Sequence, residues 1–175
     1  MKVLVTSDTH GFYSPISDYL LGHEDIKLLL HAGDGASDVE NIHYETDINY
    51  EFVRGNNDYL SDAPYEKVVE IENIRIFITH GHTYNVYYTD NEILKRAKEL
   101  SCQIAIFGHT HQCVNTIKND IRILNPGSIS LPRDNNYGFF ILDINGDSYE
   151  ITRIQTNKEF KWQDYLILSH NIHQN

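Results

Sequence analysis

A chain of 175 residues, 41% of them apolar, has room for one domain of ordinary size and enough hydrophobic material to bury a core. Fourteen Lys and Arg against 25 Asp and Glu leave a net charge of −11, which argues against binding built on cationic contact with nucleic acid or anionic membrane surfaces. Ten histidines exceed what a core needs and ask for a chemical explanation. Two cysteines, Cys102 and Cys113, make no disulfide framework, so a reducing cytoplasm is the expected location. The apolar run Val3–Val5 is too short for a signal-peptide core, and no stretch approaches the ~20 apolar residues of a spanning helix.

Lys2–Thr6 (KVLVT) reads as a buried strand. Ser14-Pro15 then reads as an N-cap followed by proline at the first helical position, opening a helix with Ile16, Tyr19 and Leu20 on one side. Ile26–Leu30 is a second buried strand, Ser37 opens a short helix through Ile42, and Tyr50–Arg54 is a third strand. Hairpins dominate the second half. Lys67–Ile71 and Ile74–Thr79 flank a tight turn at Glu72-Asn73. Asp90–Leu100 has helical spacing, with Ile93, Leu94, Ala97 and Leu100 on one face. Ile104–Phe107 is another buried strand, and Val114–Ile117 pairs with Ile121–Leu124 around Asn119-Asp120. Phe139–Ile144 and Tyr149–Ile154 flank Asn145-Gly146, a strong hairpin signal. The tail from Lys158, which holds Trp162, reads as a short helix. Strand–helix alternation followed by hairpins predicts an α/β fold with two mixed sheets packed face to face and helices outside. The whole chain, 1–175, is expected to be one domain, with its motifs within 1–155 and a C-terminal extension at 156–175.

Five polar clusters stand where predicted strands finish. They are Asp8-Thr9-His10, Gly33-Asp34, Gly55-Asn56-Asn57-Asp58, His80-Gly81-His82 and Gly108-His109-Thr110-His111. The carboxyl ends of strands are where sites assemble in α/β sheets. Carboxylates, imidazoles and an amide oxygen suit divalent manganese, iron, nickel or zinc, and no thiolate stands among them. Any one cluster alone is most simply a turn or a surface pair. All five in order, each after an apolar run, are not.

Together these clusters resemble the calcineurin-like metallophosphoesterases, in their small prokaryotic phosphodiesterase branch. Ser-Asp-Thr-His-Gly (7–11), His-Ala-Gly-Asp (31–34), Gly-Asn-Asn-Asp (55–58), Thr-His-Gly-His (79–82) and Gly-His-Thr-His (108–111) follow the family pattern, and Asn125-Pro126-Gly127-Ser128 adds a further feature. The resemblance covers residues 1 to about 155. It implies a four-layer α/β/β/α sandwich of two mixed β-sheets flanked by helices, and two divalent metal ions, manganese first, with nickel, iron or zinc as alternatives. Asp8, His10, Asp34 and His111 would hold one metal; Asp34 as a bridge, Asn56, His80 and His109 would hold the other. The implied activity is metal-dependent hydrolysis of a small phosphodiester by direct attack of a metal-bridging hydroxide. The implied assembly is a homodimer or larger homo-oligomer, with Tyr137, Phe139 and Phe140 either at an interface or in the core.

Many relatives carry histidine after the ligand asparagine; here that position is Asn57, which is set as a catalytic and substrate contact through its amide. His82 is then the candidate proton donor. Arg54 is set with Asn57 as a substrate contact, and Arg133 stands in a similar position beyond the Asn-Pro-Gly-Ser turn, each against the competing reading of a surface or ion-paired arginine. Tyr84, Tyr87 and Tyr88 either line a substrate groove or pack on the core. His31 reads as a packed histidine, and His23, His43, His170 and His173 as surface residues. Two other classes compete with the phosphodiesterase. A retromer subunit resembles this branch yet serves as a binding platform, but such scaffolds tend to lose site histidines, and every ligand position here is filled. A nuclease would need a basic groove that the acidic composition does not signal.

Overall fold

Strands that are hydrophobic on both faces must be covered twice, and this chain covers them in layers. The structure, a computed structural model, describes residues 1–156 and the backbone of residues 162–171. The first half runs β1 (Lys2–Thr6), α1 (Ser14–Leu21), β2 (Ile26–His31), α2 (Ala36–Thr46), β3 (Asn49–Phe52), β4 (Glu66–Ile71) and β5 (Ile74–Thr79). The second runs α3 (Asn91–Glu99), β6 (Ile104–Ile106), β7 (Cys113–Lys118), β8 (Ile121–Pro126), β9 (Tyr137–Asn145), β10 (Ser148–Thr156) and β11 (Trp162–Asn171).

One sheet has the order β11-β10-β9-β1-β2-β3 and the other β4-β5-β6-β8-β7. Both are mixed. β1, β2 and β3 run parallel in the first sheet, as do β5, β6 and β8 in the second, while the hairpin strands pair antiparallel. Alternation along each strand sorts side chains into layers. In β1, Val3 and Val5 face the other sheet, where they meet Ile76, Ile78, Ile104 and Leu124. Leu4 points the opposite way and packs with Ile16 and Leu20 of α1 and Val39 and Ile42 of α2. The second sheet repeats this logic: Phe77, Ala105 and Ile123 turn outward onto Ile93, Leu94 and Ala97 of α3. These layers make the expected α/β/β/α sandwich.

Each predicted strand is present within a residue or two of its expected bounds, with three departures. The first helix begins at Ser14 with Tyr13 at the cap, so Ser14 lies inside it and makes no side-chain cap bond. The second extends to Thr46, four residues past Ile42, and ends on a left-handed Asp47. The tail is a strand rather than a short helix: residues 162–171 pair antiparallel with β10. The run Tyr165–Leu168 is aromatic and aliphatic, and the exposed edge of β10 offers it a full ladder of partners. Residues 157–161 and His173 lie outside the described residues.

Phe139 and Phe140 are fully buried on opposite faces of β9, one under the helices and one between the sheets, so neither is available to an interface. Cys102 is buried and Cys113 half-buried, both unpaired, and burial pushes both thiols up, as expected of small apolar groups. No described helix is long and apolar enough to cross a membrane.

Candidate metal centre

The carboxyl ends of β1, β2, β3, β5 and β6 lie along one edge of the sandwich, and backbone hydrogen bonds stitch their loops together. Asp8 N–H donates to Gly33 O, His10 N–H to Asp34 O and Gly108 N–H to His80 O. His109 N–H donates to Asp8 Oδ2 at 3.0 Å, and Ser128 Oγ donates to Asp8 O at 2.7 Å, tying the late Asn-Pro-Gly-Ser turn under the first strand. Gly55 is required by this closeness: a Cβ there would lie 2.0 Å from Asp34 Oδ1 and 2.5 Å from Asp34 N. Five site residues, Asp8, His10, Asp34, His109 and His111, have positive φ between 48° and 66°. Left-handed backbone is uncommon away from glycine and clusters at functional sites.

The site groups converge closely. Asp8, His10 and His111 form one set, and Asp8, Asp34 and His80 another, each with ligand atoms within 4.8 Å of one another. His111 Nε2 stands 3.2 Å from Asp8 Oδ1 and 3.2 Å from His10 Nε2. His80 Nε2 faces Asn56 Oδ1 at 3.1 Å, Asp34 Oδ2 at 3.5 Å and Asp8 Oδ1 at 3.9 Å. Asp34 Oδ2, the expected shared group, stands 3.8 Å from His10 Nε2 as well as 3.5 Å from His80 Nε2, and Asp8 Oδ1 lies 3.9 Å from each of the same imidazoles. His109 joins through its ring, 5.1 Å from that of His80, and lies outside both tight sets.

The tautomers decide what this cluster can hold. His80 Nδ1 lies 2.7 Å from Ala32 O, and His111 Nδ1 lies 2.8 Å from Leu131 O. A carbonyl only accepts, so each Nδ1 carries the proton, and in the neutral ring each Nε2 turns a lone pair inward. Those lone pairs meet carboxylate and amide oxygens, which are also acceptors. Asp8 Oδ1 is fully buried and accepts no hydrogen bond among the described residues. Acceptors gathered around one space are stable only around positive charge, and backbone-oriented imidazoles are the usual way a protein presents nitrogen to a metal. In its absence protons serve. Burial alone would depress His80, but the Asp34 and Asp8 carboxylates outweigh it and raise its pKa. The Asp8 carboxylate, 3.2 Å away, raises that of His111. Asp34 is held well below the usual carboxylate range: burial works against this, but His80 and the Asn57 amides overcome it.

The remaining predicted site residues divide. Asn57 donates to Asp34 through both its side-chain amide (2.6 Å) and its backbone N–H (2.8 Å), which sets it against the Asp34 carboxylate. The ring of His82 lies 5.3 Å from that of His80 and 6.1 Å from that of His109, with its Nδ1 buried and unpartnered among the described residues. Burial, then His80, lowers its pKa. Burial first also pushes His109 down to about 4. Arg54 has no ion pair among the described residues and lies over the Tyr65 ring at 4.9 Å, so the salt-bridge reading fails. Tyr84 packs against the outer core of the second sheet and donates to Glu66. Tyr87 donates to His109 O at 3.0 Å and rests its ring on His109, while Tyr88 stays exposed. A cleft of about 800 Å³ adjoins Asn57 and is bordered by Tyr50, Tyr59, Glu40, Glu51, Asp62 and Lys67.

Sequence reasoning missed the residues that brace the loops. The Asp58 carboxylate accepts four backbone N–H bonds, from Asp34, Gly35, Ala36 and Gly55, at 2.7–3.0 Å. Asn125 donates to Gly108 O and accepts from Gly127 N–H. His31 accepts from Gly33 N–H at Nδ1, so its Nε2–H donates to Thr9 Oγ1, which donates in turn to Asp38. Burial pushes His31 down to about 4, against the pull of Asp8, Asp58 and Asp38. Between its ordinary value of 6.5 and about 4, the unfolded chain therefore binds a proton that the folded protein refuses. Stability conferred by neutral His31 is complete above 6.5 and falls as pH drops through that window. In His31→Gln, urea unfolding across pH 6.5 to 4 should show a shallower loss of stability; an unchanged slope would refute the assignment.

The sequence model of the calcineurin-like phosphoesterase superfamily domain matches residues 1–147. This chain belongs to that superfamily. A probable metallophosphoesterase of Methanothermobacter thermautotrophicus is 34% identical over 161 residues, spanning 89% of this chain and 93% of its own. A phosphodiesterase of Methanocaldococcus jannaschii is 29% identical over 148 residues, spanning 73% of this chain and 83% of its own. In three dimensions, Vps29 of Entamoeba histolytica in complex with zinc superposes with a TM-score of 0.82 at 21% identity, covering 95% of this chain and 98% of that one. That likeness establishes the fold alone. The superfamily, the fold and the convergence of ligand groups agree with the resemblance seen in the motifs.

Proposed function

We propose that this protein is a metal-dependent phosphodiesterase working with two divalent cations. The observation that carries the reading is the inward convergence of imidazole lone pairs on buried carboxylate oxygens, with Asp8 Oδ1 left without a hydrogen bond. Asp8, His10 and His111 would hold one cation, and Asp34, Asn56, His80 and His109 the other, with Asp34 shared. This donor set suits manganese, and also nickel, iron or zinc. The chemistry that such a cation pair supplies when bound is acidification of water and neutralisation of charge on the phosphoryl oxygens.

The chain's own residues do the rest. Asn57 holds Asp34 in place through two hydrogen bonds, fixing the shared carboxylate. Arg54, which lies over Tyr65 and has no carboxylate partner among the described residues, would meet a phosphoryl oxygen. His82, with an unpartnered Nδ1, is the group within the cluster that can carry a proton to a departing alkoxide. A small diester fits a protein whose net charge of −11 repels long polyanions while cations at the site attract one phosphate.

The test uses chelated protein reloaded with manganese, nickel, iron or zinc, assayed on a panel of mono- and diesters. Metal-free protein should be inactive, and reloading should restore hydrolysis with diesters preferred. His82→Ala should lose most on diesters with poor leaving groups and should alter one limb of the pH–rate profile. Inactivity on every ester with two metal equivalents bound would overturn the enzyme reading in favour of a metal-binding scaffold.

A further inference from the structure

The six arginines are not equivalent. Arg75 and Arg96 are ion-paired with glutamates. Arg122 and Arg153 direct their guanidinium groups onto Asn115 Oδ1 and onto the carbonyls of Pro126 and Asn136. The guanidinium groups of Arg54 and Arg133 have no acceptor among the described residues, and each lies over a tyrosine ring instead. Four of the six have no carboxylate partner among the described residues, but only these two guanidinium groups lack any acceptor there, and both stand beside the cluster.

Arg133 is tied to the site through His111. Its backbone N–H donates to His111 O at 2.9 Å, and His111 Nδ1 bonds Leu131 O, so the 131–133 segment is locked to a site imidazole from two directions. Its guanidinium lies 5.3 Å from the centroid of Tyr87, whose ring leans on His109 at 4.8 Å and whose hydroxyl donates to His109 O. Arg133 is exposed, so its N–H donors are open to a ligand, and bracing removes much of the entropy that a free arginine loses on binding. The cleft beside Asn57 carries Glu40 and Asp62 without a cation partner among the described residues, and its Lys67 is taken up by Glu51, so it offers a second phosphate no free cation.

We propose that Arg133, braced on Tyr87, is a specificity residue that receives a second phosphate borne on one ester substituent, so that the favoured substrates are diesters carrying a phosphate beyond the scissile one. The proposal rests on the phosphodiesterase reading above. With manganese-loaded full-length protein, adenylyl-(3′→5′)-adenosine is compared with its 5′-phosphorylated form. Wild type should favour the phosphorylated dinucleotide by about tenfold or more in kcat/KM, the worth of a charge-assisted contact. Arg133→Ala should raise KM for that substrate by about ten- to a hundredfold and affect the other far less. Arg133→Lys should keep part of the preference, as a point charge without the fork. Tyr87→Leu should weaken the preference and Tyr87→Phe retain it, with unfolding midpoints checking that each variant is folded.

Equal use of the two dinucleotides by wild type, or an equal loss on both in Arg133→Ala, would overturn the proposal. So would turnover of an aryl diester with neither dinucleotide cleaved, which would leave the phosphodiesterase reading standing. If no diester is cleaved, that reading fails, and calorimetry with inorganic pyrophosphate on metal-free protein decides the proposal: binding unchanged by Arg133→Ala rejects it, and binding lost supports it.

Discussion

Asp34→Ala and His80→Ala should each abolish hydrolysis, by about a thousandfold or more, while the chain remains folded. Both groups stand where ligands of the two sets meet, with Asp34 Oδ2 3.8 Å from His10 Nε2 and 3.5 Å from His80 Nε2. Losing either would remove several kcal/mol of charge neutralisation at the phosphoryl group, and each 1.36 kcal/mol is about one decade of rate. The fold should survive the change because the loops remain tied by Asp58 and by backbone bonds, although the hydrogen bonds of the Asp34 carboxylate are lost. Elemental analysis after reconstitution should find fewer than two metals per chain, and thermal unfolding without metal should remain cooperative, with a lowered midpoint in Asp34→Ala. Wild-type turnover by Asp34→Ala would end the two-metal account.

Asp58→Ala should act in the opposite way, through stability. Its carboxylate satisfies four backbone amides drawn from two loops, and alanine would strand those groups in a buried setting. Unsatisfied buried donors cost about 1–3 kcal/mol each, partly recovered by water and relaxation, so a loss of about 3–5 kcal/mol is expected from urea unfolding. Asp58→Asn, which keeps one acceptor oxygen, should fall between. Because Asp58 fixes Asp34 N–H and Gly55 N–H together, metal affinity should drop in both variants. A loss under about 1 kcal/mol in Asp58→Ala would show that the loops are held by other contacts.

The contrast between these residues marks what the sequence discloses. Asp34, His80 and the paired histidines were legible because each follows an apolar run at a strand's end, and the parallel core of each sheet brings such ends to one edge. The layering was legible for a similar reason: runs such as KVLVT are apolar on both faces, which only a sandwiched strand needs. Asp58 was not, because Gly-Asn-Asn-Asp reads as a turn, and what the aspartate accepts depends on a loop 22–24 residues earlier. Asn125 and Ser128 are of the same kind, acting across distances in sequence that carry no local periodicity. The tail was misread because an edge strand is defined by its partner, and β10 is not visible from within residues 162–171.

The left-handed backbone at Asp8, His10, Asp34, His109 and His111 carries a consequence for how such a protein can change. Each costs about 1 kcal/mol or more relative to relaxed geometry, and glycine or asparagine would occupy those positions with less strain. Exchanging a ligand for one of them therefore moves the chain downhill in folding energy while it loses its chemistry. For a protein of this fold that needs only its surfaces, erosion of the site is the path that stability favours. A chain that holds all five in that backbone keeps the ligand set against this gradient.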